Sequence, residues 1–404
     1  MMFKKLLTPA AVTIGLALSA TPALAAKHYG PGVTDSEIKI GQTMPYSGPA
    51  SAYGQIGKAE AAYFNMINEE GGINGRKINL MSLDDGYSPP KTVEQTRKLV
   101  EQENVLFMYS GLGTPTNSAV HKYLNAKKVP QLFVATGATK WGDPKHFHWT
   151  MGFQPSYQQE ARIYAAAILK DHPNAKIGVL YQNDDYGKDY LKGLHDGLGA
   201  KAKTMIVKEV SYETSEPTID SQIVQLKGSG ADVFVNITIP KFAAQAIRQA
   251  YDIGWKPVSY LNNVSNSTGA VLKPAGFEKS AGQISTAYLK DPTDKQWDND
   301  ADMIKYKEWL QKNMPGADVA DGNNVFGYTN AQLMVHVLKE CGDNLTRANV
   351  MKQAANIKNL SLPMLLPGIR VNTSPTNYHP LSQLQLEHFN GQNWELYGNI
   401  MGGK

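Results

Sequence analysis

The chain has 404 residues, with 40 Lys and Arg interspersed among 36 Asp and Glu; a formal charge of +4 spread in this way excludes a nucleic-acid protein, which would cluster its basic residues. A lone cysteine, Cys341, excludes an internal disulfide, so stability has to come from well-filled cores. The length exceeds the roughly 250–300 residues at which single cores stop growing, so two lobes are expected.

Residues 1–25 begin with Lys4 and Lys5, continue through a mainly apolar stretch and end on Ala23-Leu24-Ala25. This is the pattern of an export signal cleaved near Ala25, too short for a membrane span. Its removal takes two lysines and leaves a formal charge of about +2. With no cysteine at the cleavage site, a soluble periplasmic protein is expected.

The first strand is predicted over residues 38–43. A helix follows, marked by the stripe Ile56, Ala59, Tyr63, Met66 and Ile67 and stopped by Gly71-Gly72. Residues 77–83 form the next strand. Ser88 and Pro89 then make a cap and first turn for a helix showing Val93, Thr96, Leu99 and Val100 on one face. Strands at 105–109 and 130–135 bracket a helix at 118–125. After a loop with Trp141 and Trp149, a long helix is expected over 157–170.

A second alternating set has strands at 176–181, 203–210, 232–237 and 258–262. Its helices run from Gly187, around Ile223 and over 243–251. Strands alternating with helices of this length read as mostly parallel sheets flanked by helices, here two α/β, Rossmann-like lobes. The distal third predicts helices at 297–314, 326–341 and 346–355, with short strands or turns at 363–371 and 394–400. It fits best as completion of the two lobes, residues 27–153 plus 286–368 and residues 154–285 plus 369–404. Crossings near Phe153, Ser285 and Gly368 would form a three-segment hinge. A contiguous two-domain chain with a helical tail is the alternative. Cys341, after an apolar run, is expected as a buried thiol.

Open parallel sheets bind ligands beyond the carboxyl ends of their strands. The loop after the first strand holds Tyr46 and Tyr53. Ser110, Gly111 and Thr114 follow the third, and Thr136, Gly137, Ala138 and Thr139 the fourth. Small residues and hydroxyls ahead of a helical turn offer backbone N–H groups and a positive dipole end to a carboxylate. Each hydroxyl is also an ordinary cap or turn residue; their recurrence in consecutive strand-end loops favours binding. The second lobe offers Tyr186 at a helix entrance, Asn236, Thr238, Asn262 and Asn263 at strand ends, and the late helix adds Phe326 and Tyr328.

No dinucleotide loop, P-loop, zinc-protease signature or nucleophile elbow occurs. Asp143, His146 and His148 look superficially metal-like, yet they sit beside Pro144, Lys145 and Trp149 in a loop, so no catalytic residue, metal or cofactor is assigned. The rival class is an exported hydrolase or transferase using Asp184 or Asp185, which more simply complement a helix dipole.

These segments resemble the type I periplasmic solute-binding proteins of the branched-chain amino-acid (Leu/Ile/Val-binding) family, which serve ABC importers. The resemblance rests on Ile38-Lys39-Ile40-Gly41 with Pro45-x-Ser47-Gly48-Pro49, on Gly71-Gly72-Ile73-Asn74-Gly75-Arg76, on Asp85 followed by Pro89, and on Tyr181-x-x-Asp184-x-Tyr186-Gly187. It implies interleaved lobes, a membrane permease as partner and a monomer that closes on its ligand. By position, Ser110 resembles the family's carboxylate-binding serine, the stretch 137–139 the loop serving the same ligand end, and Tyr186 the tyrosine that closes over it. Where relatives place an acid for an α-ammonium, this chain reads Leu261-Asn262-Asn263-Val264. An unpaired buried charge is expensive, so a small carboxylate without an α-amine, aromatic or bulky and apolar, is expected. Branched-chain amino acids and small amides remain competing classes, because an acid from another element could enter the pocket.

Overall fold

The computed structural model describes residues 27–402 and Met1; apart from Met1, the expected signal segment lies outside the described residues. Five strands form the first sheet: β1 (Glu37–Met44), β2 (Lys77–Asp84), β3 (Met108–Tyr109), β4 (Gln131–Val134) and β5 (Thr150–Gly152), in the order β2-β1-β3-β4-β5, all parallel. The second sheet has seven: β6 (Ile177–Gln182), β7 (Ile206–Tyr212), β8 (Val233–Ile237), β9 (Val258–Leu261), β10 (Ile284–Ala287), β11 (Gln383–Phe389) and β12 (Trp394–Gly402). Their order is β12-β11-β10-β9-β8-β6-β7. The first five in sequence are parallel, and β11 and β12 are added antiparallel at one edge.

Helices α1 (Gly54–Glu69), α2 (Pro89–Arg97) and α3 (Thr114–Ala126) connect the first sheet, and α4 (Tyr157–Asp171), α5 (Asp185–Leu198), α6 (Asp220–Gly228) and α7 (Pro240–Asp252) serve the second. Three distal helices follow, α8 (Ala301–Asn313), α9 (Gly322–Cys341) and α10 (Arg347–Ala354). This is the expected two-lobed α/β architecture. Its strands are apolar because both sheet faces are covered: Ile38, Ile40, Val179, Val233 and Val235 are all essentially without solvent exposure.

The chain passes between the sheets after β5, after β10 and ahead of β11. α9 therefore returns to the first lobe and packs along α1. That contact depends on Gly327, where a Cβ would stand 2.6 Å from the Ile56 carbonyl oxygen. Ser285 lies inside β10, opposite Glu387.

Local differences from expectation have identifiable causes. Ser88 is the N-cap residue of α2 by its extended backbone, with Pro89 behind it, yet its hydroxyl makes no capping bond. Asp84 instead ties the preceding turn through Ser47, Tyr46 and Gly86. The strand expected over 203–210 begins only at Ile206, after the helical turn Ala202–Met205; as an edge strand, β7 is largely exposed and carries little apolar pattern. Residues 363–371 contribute isolated bridges, Leu289 to Leu365 and Leu360 to Val371, in place of a strand. Cys341 is buried at the end of α9, and burial pushes its thiol up to about 12.

Candidate functional site

The residues that follow β3, β4 and β5 in one lobe meet those that follow β6, β8, β9 and β10 in the other. Between them lies a cavity lined by residues of both lobes. Its walls are mainly apolar and aromatic. Tyr53 and Ile56 come from the start of α1, Val325 and Phe326 from α9, Ile239 from the loop after β8, and Tyr288 and Leu289 from the segment after β10.

Two tyrosines join the lobes across this space. The Tyr53 hydroxyl donates to the Val264 carbonyl at 2.8 Å, and the Tyr87 hydroxyl accepts from Gln182 Nε2 at 3.3 Å. Tyr87 sits at φ 62°, left-handed for a bulky residue, and its ring fills the space beside Gly113, where a Cβ would stand 2.4 Å from it. Gly113, at φ 94°, is the N-cap of α3. Opposite, Asp184 caps α5 by accepting from the Tyr186 and Gly187 amides, which fixes Tyr186 at the helix entrance. Asn262 Nδ2 donates to the Tyr186 hydroxyl, and the ring stands edge-on to Tyr157, centroids 5.2 Å apart. Burial raises the hydroxyl pKa of Tyr53, Tyr87, Tyr157 and Tyr186, so all stay neutral near pH 7.

Among the described residues, two amides on the lining have no protein partner, Gln154 Nε2 and Asn263 Nδ2. Gln154 is 4 % exposed and Asn263 9 %. Buried polar atoms are paired in the great majority of cases, so a group of orphans around one cavity marks where a bound molecule completes the bonding. Gly113 and Thr114, at the positive end of α3, share the wall with Gln154.

Of the residues expected from sequence, Tyr53, Thr114, Tyr186, Asn263 and Phe326 are brought together on the cavity wall. Ser110 lies behind it. Its backbone is left-handed (φ 49°), its side chain is fully buried, and its hydroxyl accepts from Asn330 Nδ2 on α9 at 3.0 Å, beside Glu60. Gly111 is buried against Asn117. Tyr46 turns its hydroxyl to Ser82 within the first lobe, at 2.6 Å. Tyr328 joins Tyr63, Tyr306 and Trp309 in an aromatic cluster between α9, α1 and α8.

The 137–139 stretch does other work. Gly137 accepts from the Tyr157 amide at 2.8 Å, and the Ala138 amide reaches Thr136 Oγ1 at 3.3 Å. Thr139 spans the lobes, donating from its amide (2.8 Å) and hydroxyl (2.9 Å) to Asp189 on α5. Lys140 adds an ion pair to Asp185 at 2.8 Å. Asn236 is buried with Thr238 on its Oδ1, and Asn262 stands behind Tyr186.

Sequence reasoning missed Tyr87, Gln154, Tyr157, Tyr288, Asp291 and Glu387, all of which line the cavity. Tyr87 had a signal, since it follows β2 as the expected residues follow β1, β3 and β4. Glu387 belongs to β11, whose Gln-Leu-Gln-Leu alternation is legible as a strand. Among the described residues, no three His, Cys, Asp or Glu side chains are grouped to hold a metal.

A family model for periplasmic binding proteins matches residues 37–391. The chain belongs to that family. It is 25% identical over 345 residues to Leu/Ile/Val-binding protein homolog 1 of Brucella suis, covering 83% of this chain and 88% of that one. The fold is shared with a branched-chain amino acid ABC transporter protein from Thermus thermophilus with bound valine, at a TM-score of 0.82 and 14% identity over 92% of this chain and 98% of that one. It is shared also with a fatty acid ABC transporter substrate-binding protein from Thermomonospora curvata, at a TM-score of 0.77 and 21% identity over 94% and 95%. At these identities the two structures speak for the fold alone.

Proposed function

We propose that this periplasmic binding protein, a substrate-binding component of the ABC-importer type, captures a small carboxylic acid with an aromatic or bulky apolar body and releases it unchanged to a membrane permease. The carrying observation is the lining of the interlobe cavity: tyrosine and aliphatic walls that also carry the unpartnered amides of Gln154 and Asn263 and the first residues of α3. A carboxylate has acceptor capacity for several N–H and O–H groups. It satisfies those amides, whereas an apolar guest leaves each at a cost of about 1–3 kcal/mol. Both named ligands of the related folds, valine and fatty acid, are carboxylates with apolar bodies.

Closure follows from differential affinity. A molecule touching both lobes stabilises the arrangement in which Tyr53 reaches Val264 and Tyr87 reaches Gln182. Nothing in this cycle needs covalent chemistry. Asp184, the residue on which a hydrolase reading would lean, is occupied as the cap of α5, and Asp185 by Lys140.

Thermal unfolding with added probes tests the reading, because a ligand stabilises by mass action. 3-Phenylpropanoate is expected to raise Tm more than 3-phenylpropanamide and more than 4-methylpentanoate. Gln154→Ala is expected to weaken the acid roughly tenfold and the amide little. Equal stabilisation by acid and amide overturns the carboxylate assignment; conversion of the bound acid overturns the transport reading.

A further inference from the structure

We infer that Glu160 is a positioning residue for the ligand, holding the loop after β9 so that Asn263 presents its side-chain amide to the cavity. The inference deepens the carboxylate reading above and rests on it. Glu160 is not itself part of the cavity lining.

Glu160 lies in the first turn of α4 and is fully buried. Its carboxylate gathers three donors from three elements. The Tyr164 hydroxyl, one turn further along α4, donates at 2.5 Å, the Tyr190 hydroxyl on α5 at 2.6 Å, and the Asn263 backbone amide at 2.8 Å. The same Tyr164 hydroxyl lies 2.8 Å from the Leu261 carbonyl oxygen, so the chain is tied to α4 on both sides of Asn262. The residues fixed in this way have three consecutive duties. Asn262 Nδ2 donates to the Tyr186 hydroxyl, Asn263 carries the unpartnered Nδ2 on the cavity wall, and the Val264 carbonyl accepts from Tyr53 of the other lobe.

A carboxylate suits this place because it accepts at both oxygens and donates nothing, so three donors can converge on it. Its bond from the Asn263 amide is charge-assisted, roughly twice as strong as a neutral one. A glutamine of the same shape would avoid the cost of a buried charge, but would turn its own N–H groups on one of the three donors. Among the described residues no Lys, Arg or His pairs with Glu160. Burial pushes its carboxyl up to about 6, against the hydrogen bonds from Tyr164, Tyr190 and Asn263. The ionisable groups around it are Tyr157 and Tyr164 on α4, Tyr190 on α5, Tyr288 after β10 and Glu387 on β11. Burial keeps the four tyrosines neutral and holds the Glu387 carboxyl well above the usual range. Glu160 is therefore ionised at pH 7.5 and mostly protonated at pH 5.

Isothermal titration with 3-phenylpropanoate and 3-phenylpropanamide tests the role, using Glu160→Gln, Asn263→Ala and the double variant, with ligand-free melts to check that each folds. At pH 7.5, Asn263→Ala is expected to weaken the acid about tenfold and Glu160→Gln about fivefold, with the amide changed less than twofold. In the Asn263→Ala background, Glu160→Gln is expected to cost less than a further twofold, because its effect passes through the missing side chain. Glu160→Gln also stands in for the protonated carboxyl. Lowering the pH to 5 is expected to bring the native protein within about twofold of that variant, and because both see the same probe, its own titration cancels in the comparison. Losses that multiply in the double variant, an unweakened Glu160→Gln, or a native lead that persists in full at pH 5 each overturn the role of Glu160 and leave the carboxylate reading standing. Equal binding of acid and amide by the native protein, or no loss in Asn263→Ala, overturns the reading on which the inference rests.

Discussion

Among the described residues, no cation pairs with Glu60 on the buried face of α1. Burial pushes its carboxyl up to about 8, although Ser110, Gln42 and Tyr109 offset part of the penalty with hydrogen bonds. The unfolded chain gives up this proton near its ordinary value of 4.5. Between those two values the folded state binds more protons than the unfolded one. The stability that Glu60 contributes is therefore complete below about pH 4.5 and falls as pH rises through the window, by at most about 1.4 kcal/mol per unit. Denaturant melts at about pH 5 and about pH 8 should show a larger loss for the native protein than for Glu60→Gln. Parallel losses would mean that the carboxyl is ionised in the folded state. The same neighbourhood explains why Ser110 does not reach the cavity wall: its hydroxyl is drawn into this buried polar group, with Asn330 closing the other side.

At the scale of elements, the approach of α9 to α1 is set by the absence of a side chain at Gly327. Gly327→Ala puts a methyl against the Ile56 carbonyl, and because backbone cannot rotate away as a flexible side chain can, the helices must separate. A loss of about 1–3 kcal/mol is expected, read as a lower unfolding midpoint. An unchanged midpoint would show that the pair slides without cost.

Elements with a strong period were legible in the sequence. The stripe Ile56, Ala59, Tyr63 and Ile67 is the buried face of α1, and the apolar runs of β1, β6 and β8 are strands covered on both sides. What escaped was short or antiparallel. β10 has four residues, Ile-Ser-Thr-Ala, too few to show a period, and its identity comes from pairing with β9 and β11. The candidate site was half legible for a related reason. Strand-end loops locate a ligand to within a few residues, as Tyr53, Thr114 and Tyr186 illustrate, but which of two adjacent side chains faces the cavity depends on backbone turns such as the left-handed Ser110 and Tyr87. The alternation of β11 marks a strand, but Glu387 reaches the cavity through pairing with β10, which no local pattern carries.

At the scale of the molecule, the lobes touch on two sides of the cavity. Beyond the tyrosine bridges, Asp189 on α5 gathers the Thr139 amide and hydroxyl and, at 2.7 Å, Gln158 Nε2. Asp189→Ala removes the shared acceptor. Hydrogen bonds to a charged group contribute roughly 1.5–3 kcal/mol each when desolvated and less at a part-exposed site. The ligand-free variant is expected to be more open, with a larger radius of gyration by small-angle scattering and severalfold weaker binding of 3-phenylpropanoate. Scattering identical to that of the native protein would remove this contact from the closure equilibrium.

The return of α9 to α1 also bears on how the chain reaches its final form. Arg76 pairs with Asp343, 267 positions away, and Asn330 reaches Ser110 across 220. The lobe that begins first is consequently the one finished late, after the whole sheet between β6 and β10 has been made. Long-separation contacts are slow to form, since the intervening chain must be gathered before they yield any stabilisation. An emerging polypeptide of this design therefore has no completed N-terminal lobe until α9 has been added to it.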